Sequence, residues 1–465
     1  MGTDMPEGHI PPMRTASEID VASRYVQSAF NALADHAESL LQGDEVVTAH
    51  LRAEDSDFVR INGCKVRQAG NVRQRTVTLK LIDGKRHAAA EMTLTGTRSA
   101  DSLRVNTAIS ELRALLPNLP DDPHLMYNTT PVSTERHGDP VIPDSHDAVD
   151  AILREGAGLD LVGIYAGGGV YEGFANSLGQ RNWFSSFSFN FDFSVYERAD
   201  KAVKCGYAGL SWDAADFAAK VQSAREQREI LQREARTIKP GQYRVYLAPA
   251  AVNEIVSLLS WGAFSLKAQK TRQSPLNRLV DGHTALNPAI SLTEATSRGV
   301  AAGFDSAGFA KHDSVRLIHE GSHGGSLVSP RSAAEFGVPT NGAASDEGPT
   351  SLDLAAGDLA DNKILDALGT GLWINNLWYL NYSDRSHCRM TGMTRFATFW
   401  VEDGKIVAPL NVMRFDETLY RMFGDNLLGL TSNREMLLAA DTYFRRSTSS
   451  ARLPGALIDD FTFTL

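Results

Sequence analysis

The residues best spaced for chemistry are His319-Glu320-Gly321-Ser322-His323, an H-E-x-x-H pattern. On a helix, two imidazoles at i and i+4 share one face and can hold Zn²⁺, with the glutamate as general base for a bound water. The pattern needs that helix. Here Gly321, Gly324 and Gly325 surround it, and glycine in a helix interior costs about 1 kcal/mol relative to alanine. The flanks 315–318 and 326–328 read as strands, so a hairpin turn is the expectation and a metal site the alternative. If His319 and His323 bound metal, His283, His312 or His387 would be the further ligands. Gly167-Gly168-Gly169-Val170-Tyr171-Glu172-Gly173 follows an apolar run. A dinucleotide fingerprint requires glycine where Glu172 stands, and a helix after it. A tight turn at the glycines is expected instead. Cys388 lies between His387 and Arg389, where positive charge could lower a thiol's pKa. In an extended chain, however, neighbouring side chains point to opposite faces. No G-x-S-x-G elbow occurs, which leaves a hydrolase serine without support.

Two further groups suit recognition rather than catalysis. Arg181 and Asn182 sit among aromatics and are candidates to line a peptide groove, where main-chain amides need polar partners. Arg389 and Arg395 are candidates to hold a peptide carboxylate. Exposed structural arginines would account for these residues equally well.

The 465-residue chain is long enough for two or three domains. Its net charge of −10 argues against a nucleic-acid backbone as partner. Its three cysteines, Cys64, Cys205 and Cys388, are odd in number and widely separated. They fit a reducing cytoplasm rather than a disulfide framework. The start of the chain has no apolar core of signal-peptide length, and no apolar run reaches the roughly 18 residues of a membrane span.

Residues 1–16 are polar and Pro-rich and are expected to be flexible. A helix is predicted from Ser17, where Ser17-Glu18-Ile19-Asp20 resembles a capping box. Strands follow over 46–52, 57–61, 74–82 and 87–95, with a hairpin at Asp83-Gly84, then a helix over 102–115. Residues 117–146 read as a connection and a possible subdivision. Next come a helix over 145–156, a strand over 159–166, aromatic strands over 174–196 and a charged helix over 213–236. A second region starts with a strand at Tyr243 and a buried helix over 250–264. Residues 344–350 are expected as a surface loop and 455–465 as a final strand. The fold class is therefore α+β: an N-terminal helix and antiparallel-sheet region, 17–238, followed by a β-rich C-terminal domain, 239–465.

Within that second region, residues 378–416 read as two strands, a turn at Glu402-Asp403-Gly404-Lys405 and a third strand. Thr391-Gly392, the aromatic run 396–400, Val401-Glu402-Asp403-Gly404-Lys405-Ile406 and Pro409 resemble the C-terminal hallmark of the TldD/PmbA family. That family is metallopeptidase-related and long named for modulation of DNA gyrase. Tyr243 to Pro249, Phe304-Asp305-Ser306-Ala307-Gly308, the stretch 315–333, Pro339-Thr340-Asn341-Gly342-Ala343 and the stretch 348–371 match further family elements in order. Ala307 stands where the family usually has an acid.

The resemblance implies zinc in active members, held by H-E-x-x-x-H on a central helix and by a cysteine near the C-terminus. In this chain that helix carries Asn253-Glu254 with Leu258 at the second histidine position. An alternative alignment places Ser257-Leu258 and Gly262 there. Residues 446–450, RSTSS, contain no cysteine. The implied type is therefore PmbA (TldE), with no catalytic residue, metal or cofactor of its own. Its implied partner is a TldD-like, zinc-bearing catalytic subunit or a second copy in a homo-dimer, and its substrate an unfolded or small peptide. A self-sufficient metallopeptidase using His319 and His323, or a stand-alone peptide-binding scaffold, are the competing readings.

Overall fold

The computed structural model describes residues 16–198 and 201–464. Residues 1–15 of the segment expected to be flexible, 1–16, lie outside them, as do the side chains of Ser17, Ile19 and Asp20 in the expected capping box, while Ala16 opens the first helix.

The N-terminal region is one antiparallel sheet backed by helices. Its elements are α1 (Ala16–Ser39), β1 (Val46–Asn62), β2 (Lys65–Asp83), β3 (Arg86–Thr93), α2 (Arg98–Leu115), β4 (Glu135–His137), α3 (Ser145–Glu155), β5 (Asp160–Asn176), β6 (Arg181–Arg198), β7 (Lys201–Gly209) and α4 (Ala214–Leu231). The strand order is β3-β2-β1-β5-β6-β4, with β7 also paired to β6. Residues on both sides of the connecting segment therefore share one sheet.

Alternation along β6 sets its two faces. Phe187, Phe189, Phe191, Phe193 and Val195 are buried on the helix-covered face, against Phe217, Val221 and Ala224 of α4. Each such burial contributes about 1.5–3 kcal/mol. Ser186, Ser188, Asn190 and Asp192 occupy the opposite, polar face. Asp213 caps α4 by accepting from the amides of Ala215 and Asp216, satisfying two donors that the first turn leaves orphaned.

Sequence expectation and structure part at the glycines. Gly167-Gly168-Gly169 is no turn; it lies in the middle of β5, paired with Asp57, Ser56 and Asp55 of β1. A Cβ at Gly167 or Gly169 would sit 2.4 Å or 2.3 Å from the hydroxyl of Tyr165 or Tyr171. Both rings lie along the strand over the space those glycines leave. Gly168 has φ 143° and approaches β1 so closely that a Cβ would meet the Asp55 carbonyl at 2.2 Å. The strands expected over 46–52 and 57–61 are likewise one continuous strand, β1.

The C-terminal region contains β8 (Gly241–Leu247), α5 (Pro249–Leu259), β9 (Leu292–Glu294), β10 (Val315–His319), β11 (Ser322–His323), β12 (Ser351–Leu354), β13 (Gly371–Asp384), β14 (Arg389–Glu402), β15 (Lys405–Pro409), β16 (Arg414–Thr418), β17 (Leu427–Leu438) and β18 (Ser450–Phe463). Because β8 pairs with both β13 and β18, and β18 reaches β14 through β16, the ladder closes on itself. The predicted turn joins β14 to β15: Glu402 pairs with Lys405, and Asp403 and Gly404 take φ 48° and 73°. Residues 326–328 contribute only an isolated bridge, Ser265 to Leu327. The loop expected on the surface at 344–350 buries Glu347, whose carboxylate accepts from the Ser265 hydroxyl at 2.6 Å and from the Lys267 and Ser329 amides. Among the described residues no helix is long and apolar enough to cross a membrane.

Candidate functional site at the junction of helix α5 and the N-terminal sheet

α5 starts at Pro249, whose missing N–H costs nothing in a first turn. Ala251, Val252, Ile255, Val256, Leu258 and Leu259 form its buried face. The opposite face presents Asn253 and Glu254, half-buried, and Ser257, exposed. Leu258 points into the core, and its carbonyl accepts from Tyr382 Oη at 3.0 Å. Gly262 lies beyond the helix end with φ 88°. Neither alignment of the expected histidine positions therefore supplies a donor set for zinc.

Burial raises the Glu254 carboxyl above its ordinary value, and the nearby Lys204 ammonium opposes that rise. Lys204 comes from β7. It pairs with Asp192 of β6 at 2.6 Å and sits 5.9 Å from the Phe396 ring centroid. Phe396 has φ 60° and falls where the β13–β14 register slips between Ile374 and Asn376, a bulge that re-aims its ring. Arg395 lies 5.6 Å from the same ring and 5.8 Å from Trp378. It is exposed, and among the described residues no carboxylate pairs with it. Arg389, by contrast, is held by Asp416 at 3.0 Å.

Arg181 and Asn182 lie elsewhere and serve the fold. The Asn182 amide donates to Val132 O and Thr134 Oγ1 and accepts from Gln180 Nε2. Arg181 donates to the carbonyls of Asn176 and Gln180 and pairs with Asp35 and Glu38. Gln180 Nε2 and Asn128 Nδ2 both donate to Gly308 O, at 2.7 and 3.0 Å, so this polar cluster docks the 304–308 loop onto the N-terminal sheet. Asp305 closes that loop on itself by accepting from the Ala307 and Phe309 amides.

The H-E-x-x-H segment is a hairpin, not a helix. Glu320 and Gly321 form its two-residue turn with φ 45° and 77°, the left-handed pair such turns need. His323 pairs across the strands with Ile318, and His319 with Ser322. Cross-strand partners share a face, so His319 and His323 point to opposite sides of the hairpin. Cys388 is fully buried, and burial pushes its thiol far above the usual range. His387 is engaged by Asp384 at 2.7 Å. Among the described residues no three His, Cys, Asp or Glu side chains converge as metal ligands.

The segment where the resemblance expects a cysteine instead clasps the two regions together. Arg446 is buried in the polar face of the N-terminal sheet. Its guanidinium donates to Ser56 Oγ, Ser188 O and Gly168 O at 2.8–3.0 Å, and its amide to Glu54 Oε2. Beside it Arg445 pairs with Glu172 at 2.7 Å, and His50 sits 3.0 Å from the same carboxylate. Burial alone would raise the Glu172 carboxyl, but His50 and Arg445 together hold it well below the usual range. Sequence reasoning met Glu172 only in the glycine-rich stretch and Arg446 only in the segment without a cysteine, and it missed Arg445 and His50. The Arg445-Arg446 doublet is the clasp's only local signal; nothing local marks Lys204.

Comparison with known proteins agrees with this geometry. The family model of the PmbA/TldA metallopeptidase C-terminal domain matches residues 240–465. No curated protein sequence matches the chain significantly. Several solved structures share the fold. TldE from Thermococcus kodakarensis has TM-score 0.74 at 14% identity, covering 94% of this chain and 100% of its own. A candidate modulator of a DNA gyrase from Thermotoga maritima has TM-score 0.71 at 11% identity, covering 94% and 100%. A candidate modulator of DNA gyrase from Bacteroides thetaiotaomicron has TM-score 0.69 at 16% identity, covering 94% and 98%. Motif order and the matched model agree, and residues 240–465 form a C-terminal domain of the TldD/PmbA family.

Proposed function

We propose that this chain is the non-catalytic subunit of a cytoplasmic TldD/PmbA-type peptidase acting on unfolded or small peptides, and that a TldD-like chain supplies zinc and catalysis. The observation that carries this reading is the donor set. At the helix positions expected to ligate zinc stand Asn253 and Leu258, or Ser257 and Gly262, and at the expected cysteine segment Arg446 is consumed in a structural clasp. The likeness to a protein named TldE supports the same assignment. The free cysteines fit a reducing compartment.

In this reading the junction at α5 receives an extended peptide. Arg395, pre-positioned against Trp378 and Phe396, anchors a substrate carboxylate; Arg389, farther along the same strand and held by Asp416, is a second candidate. Lys204 and Asp192 offer a donor and an acceptor to the peptide backbone. Zinc chemistry, when present, comes from the partner; no residue described here would hold the metal.

The test is metal content by mass spectrometry on tag-free protein, followed by peptide hydrolysis with and without a co-purified TldD-like chain. The expected result is no stoichiometric zinc, no hydrolysis by the isolated chain, and hydrolysis on mixing that drops on Arg395→Ala. Zinc at one per chain that is lost on His319→Ala would overturn the proposal in favour of a self-sufficient enzyme. A stable homo-dimer that recruits no second chain would favour a peptide-binding scaffold.

A further inference from the structure

The N-terminal sheet has a second built feature, on the face opposite the α5 junction. α1 and α2 both pack on that face and leave between them a cavity of about 290 Å³, at the small end of the roughly 300–1,000 Å³ of ligand pockets. Val26, Phe30 and Leu33 of α1, Leu51 of β1 and Leu94 supply its apolar wall. Ala29 and Ala32 stand on α1 where larger side chains would fill the space. The cavity opens to the surface beside exposed Tyr25 and Arg98, so a ligand can reach its apolar wall. Its surroundings are also apolar: Val21, Tyr25 and Leu103 are 65%, 53% and 66% exposed.

The polar groups are gathered on one side. Arg75 lies with its guanidinium 5.5 Å from the Tyr25 ring centroid, and Tyr25 is itself fixed by donating to Gly96 O at 3.0 Å. Among the described residues no carboxylate pairs with Arg75 or with exposed Arg98. The one acid in the lining, Asp101, already accepts from the Thr95 amide and hydroxyl and the Gly96 amide at 2.8–3.0 Å. A held arginine without a counter-ion, beside an apolar cavity, is complementary to a ligand with an aliphatic body and an anionic head.

We infer that the α1–α2 cavity binds an amphiphilic monocarboxylate, with its chain against Phe30, Leu33 and Leu51 and its carboxylate on Arg75, assisted by Arg98. This site is separate from the α5 junction, because Arg75 shares a sheet face with its partner Ala53, whereas Gln74, Glu54 and the Arg446 clasp occupy the other.

Calorimetric titration of the full chain with decanoate and with decanol, both below the micellar range, tests this. Decanoate should bind saturably at one per chain, about tenfold tighter than decanol, the scale of a charge-assisted hydrogen bond. Arg75→Gln should erase that preference while leaving decanol binding unchanged. Ala29→Phe, which fills the cavity, should abolish both. Equal affinity for acid and alcohol, unaltered decanoate binding by folded Ala29→Phe, or no saturable binding at all would each overturn the inference. Should Ala29→Phe not fold, the comparison of Arg75→Gln with the parent chain decides alone. A rise in unfolding temperature with decanoate that persists unchanged in Arg75→Gln would count against it.

Discussion

At the scale of single residues, the buried charges decide most. The Arg446 guanidinium serves four acceptor atoms on buried residues and lies near buried Glu54. Removing one partner of a buried charged network costs about 3–5 kcal/mol. Arg446→Met should lower stability by that amount in denaturant titration. Arg446→Lys should recover only part of it, because a single ammonium cannot reproduce the planar fork. A loss under about 1 kcal/mol in the Met variant would mean that the clasp is ornamental. Glu254 makes the opposite case. Its folded carboxyl titrates above the ordinary 4.5 because burial disfavours the charge. Between the ordinary and raised values the folded state holds more protons than the unfolded one, so stability falls as pH rises through that window. Glu254→Gln should therefore be more stable than the parent at neutral pH, and the difference should vanish near pH ~4, close to the ordinary carboxylate range. A difference independent of pH would remove burial as its cause.

At the scale of elements, local chemistry reads well wherever it determines the answer. The H-E-x-x-H segment illustrates this: its glycines predict a turn, and Gly321 sits at φ 77° with space for a Cβ denied by Leu286 O at 2.2 Å. Gly321→Ala should cost more than the roughly 1–2 kcal/mol of left-handed backbone strain alone, measured by thermal unfolding. A neutral substitution would show that the hairpin can remodel. The β14–β15 turn was legible for the same reason. Gly167-Gly168-Gly169 was not, because the need for glycine there is tertiary: Tyr165 and Tyr171 cover two of them, and β1 approaches the third. The candidate site divides likewise. The family resemblance, not helical spacing, singled out Asn253, Glu254 and Ser257 on a helix read as buried. Lys204, Asp192 and Phe396 meet it only through the packing of β7, β6 and β14. Arg181 and Asn182 looked like groove residues because polar groups among aromatics suit either role; their hydrogen bonds go to Asn176, Gln180, Val132 and Thr134, while Gln180 and Asn128 dock the 304–308 loop.

At the scale of the whole molecule, the order of predicted elements suggests two regions dividing near residue 239, and the sheets do divide there. Their cores do not divide so cleanly. Ala397 and Phe399 of β14 are fully buried in the N-terminal core, beside the packed side chains of Trp373 and Ile406. Arg445–Glu172, Lys220–Glu435 and Arg236–Glu402 cross the same boundary at 2.7, 2.8 and 2.5 Å. The last of these is exposed enough to contribute little; the shared core and the buried arginine clasp carry the coupling. A domain that must expose Phe399 when its neighbour opens loses about 1.5–3 kcal/mol from that side chain alone, before the clasp is counted. The two halves should consequently unfold together, and scanning calorimetry of the full chain should give one transition. Replacing Arg445 and Arg446 together by Met should broaden it or split it into two, because the clasp is then gone while each half keeps its own sheet. Two resolved transitions in the unaltered chain would sink this coupling, and with it the expectation that the α5 junction holds one fixed geometry for a peptide.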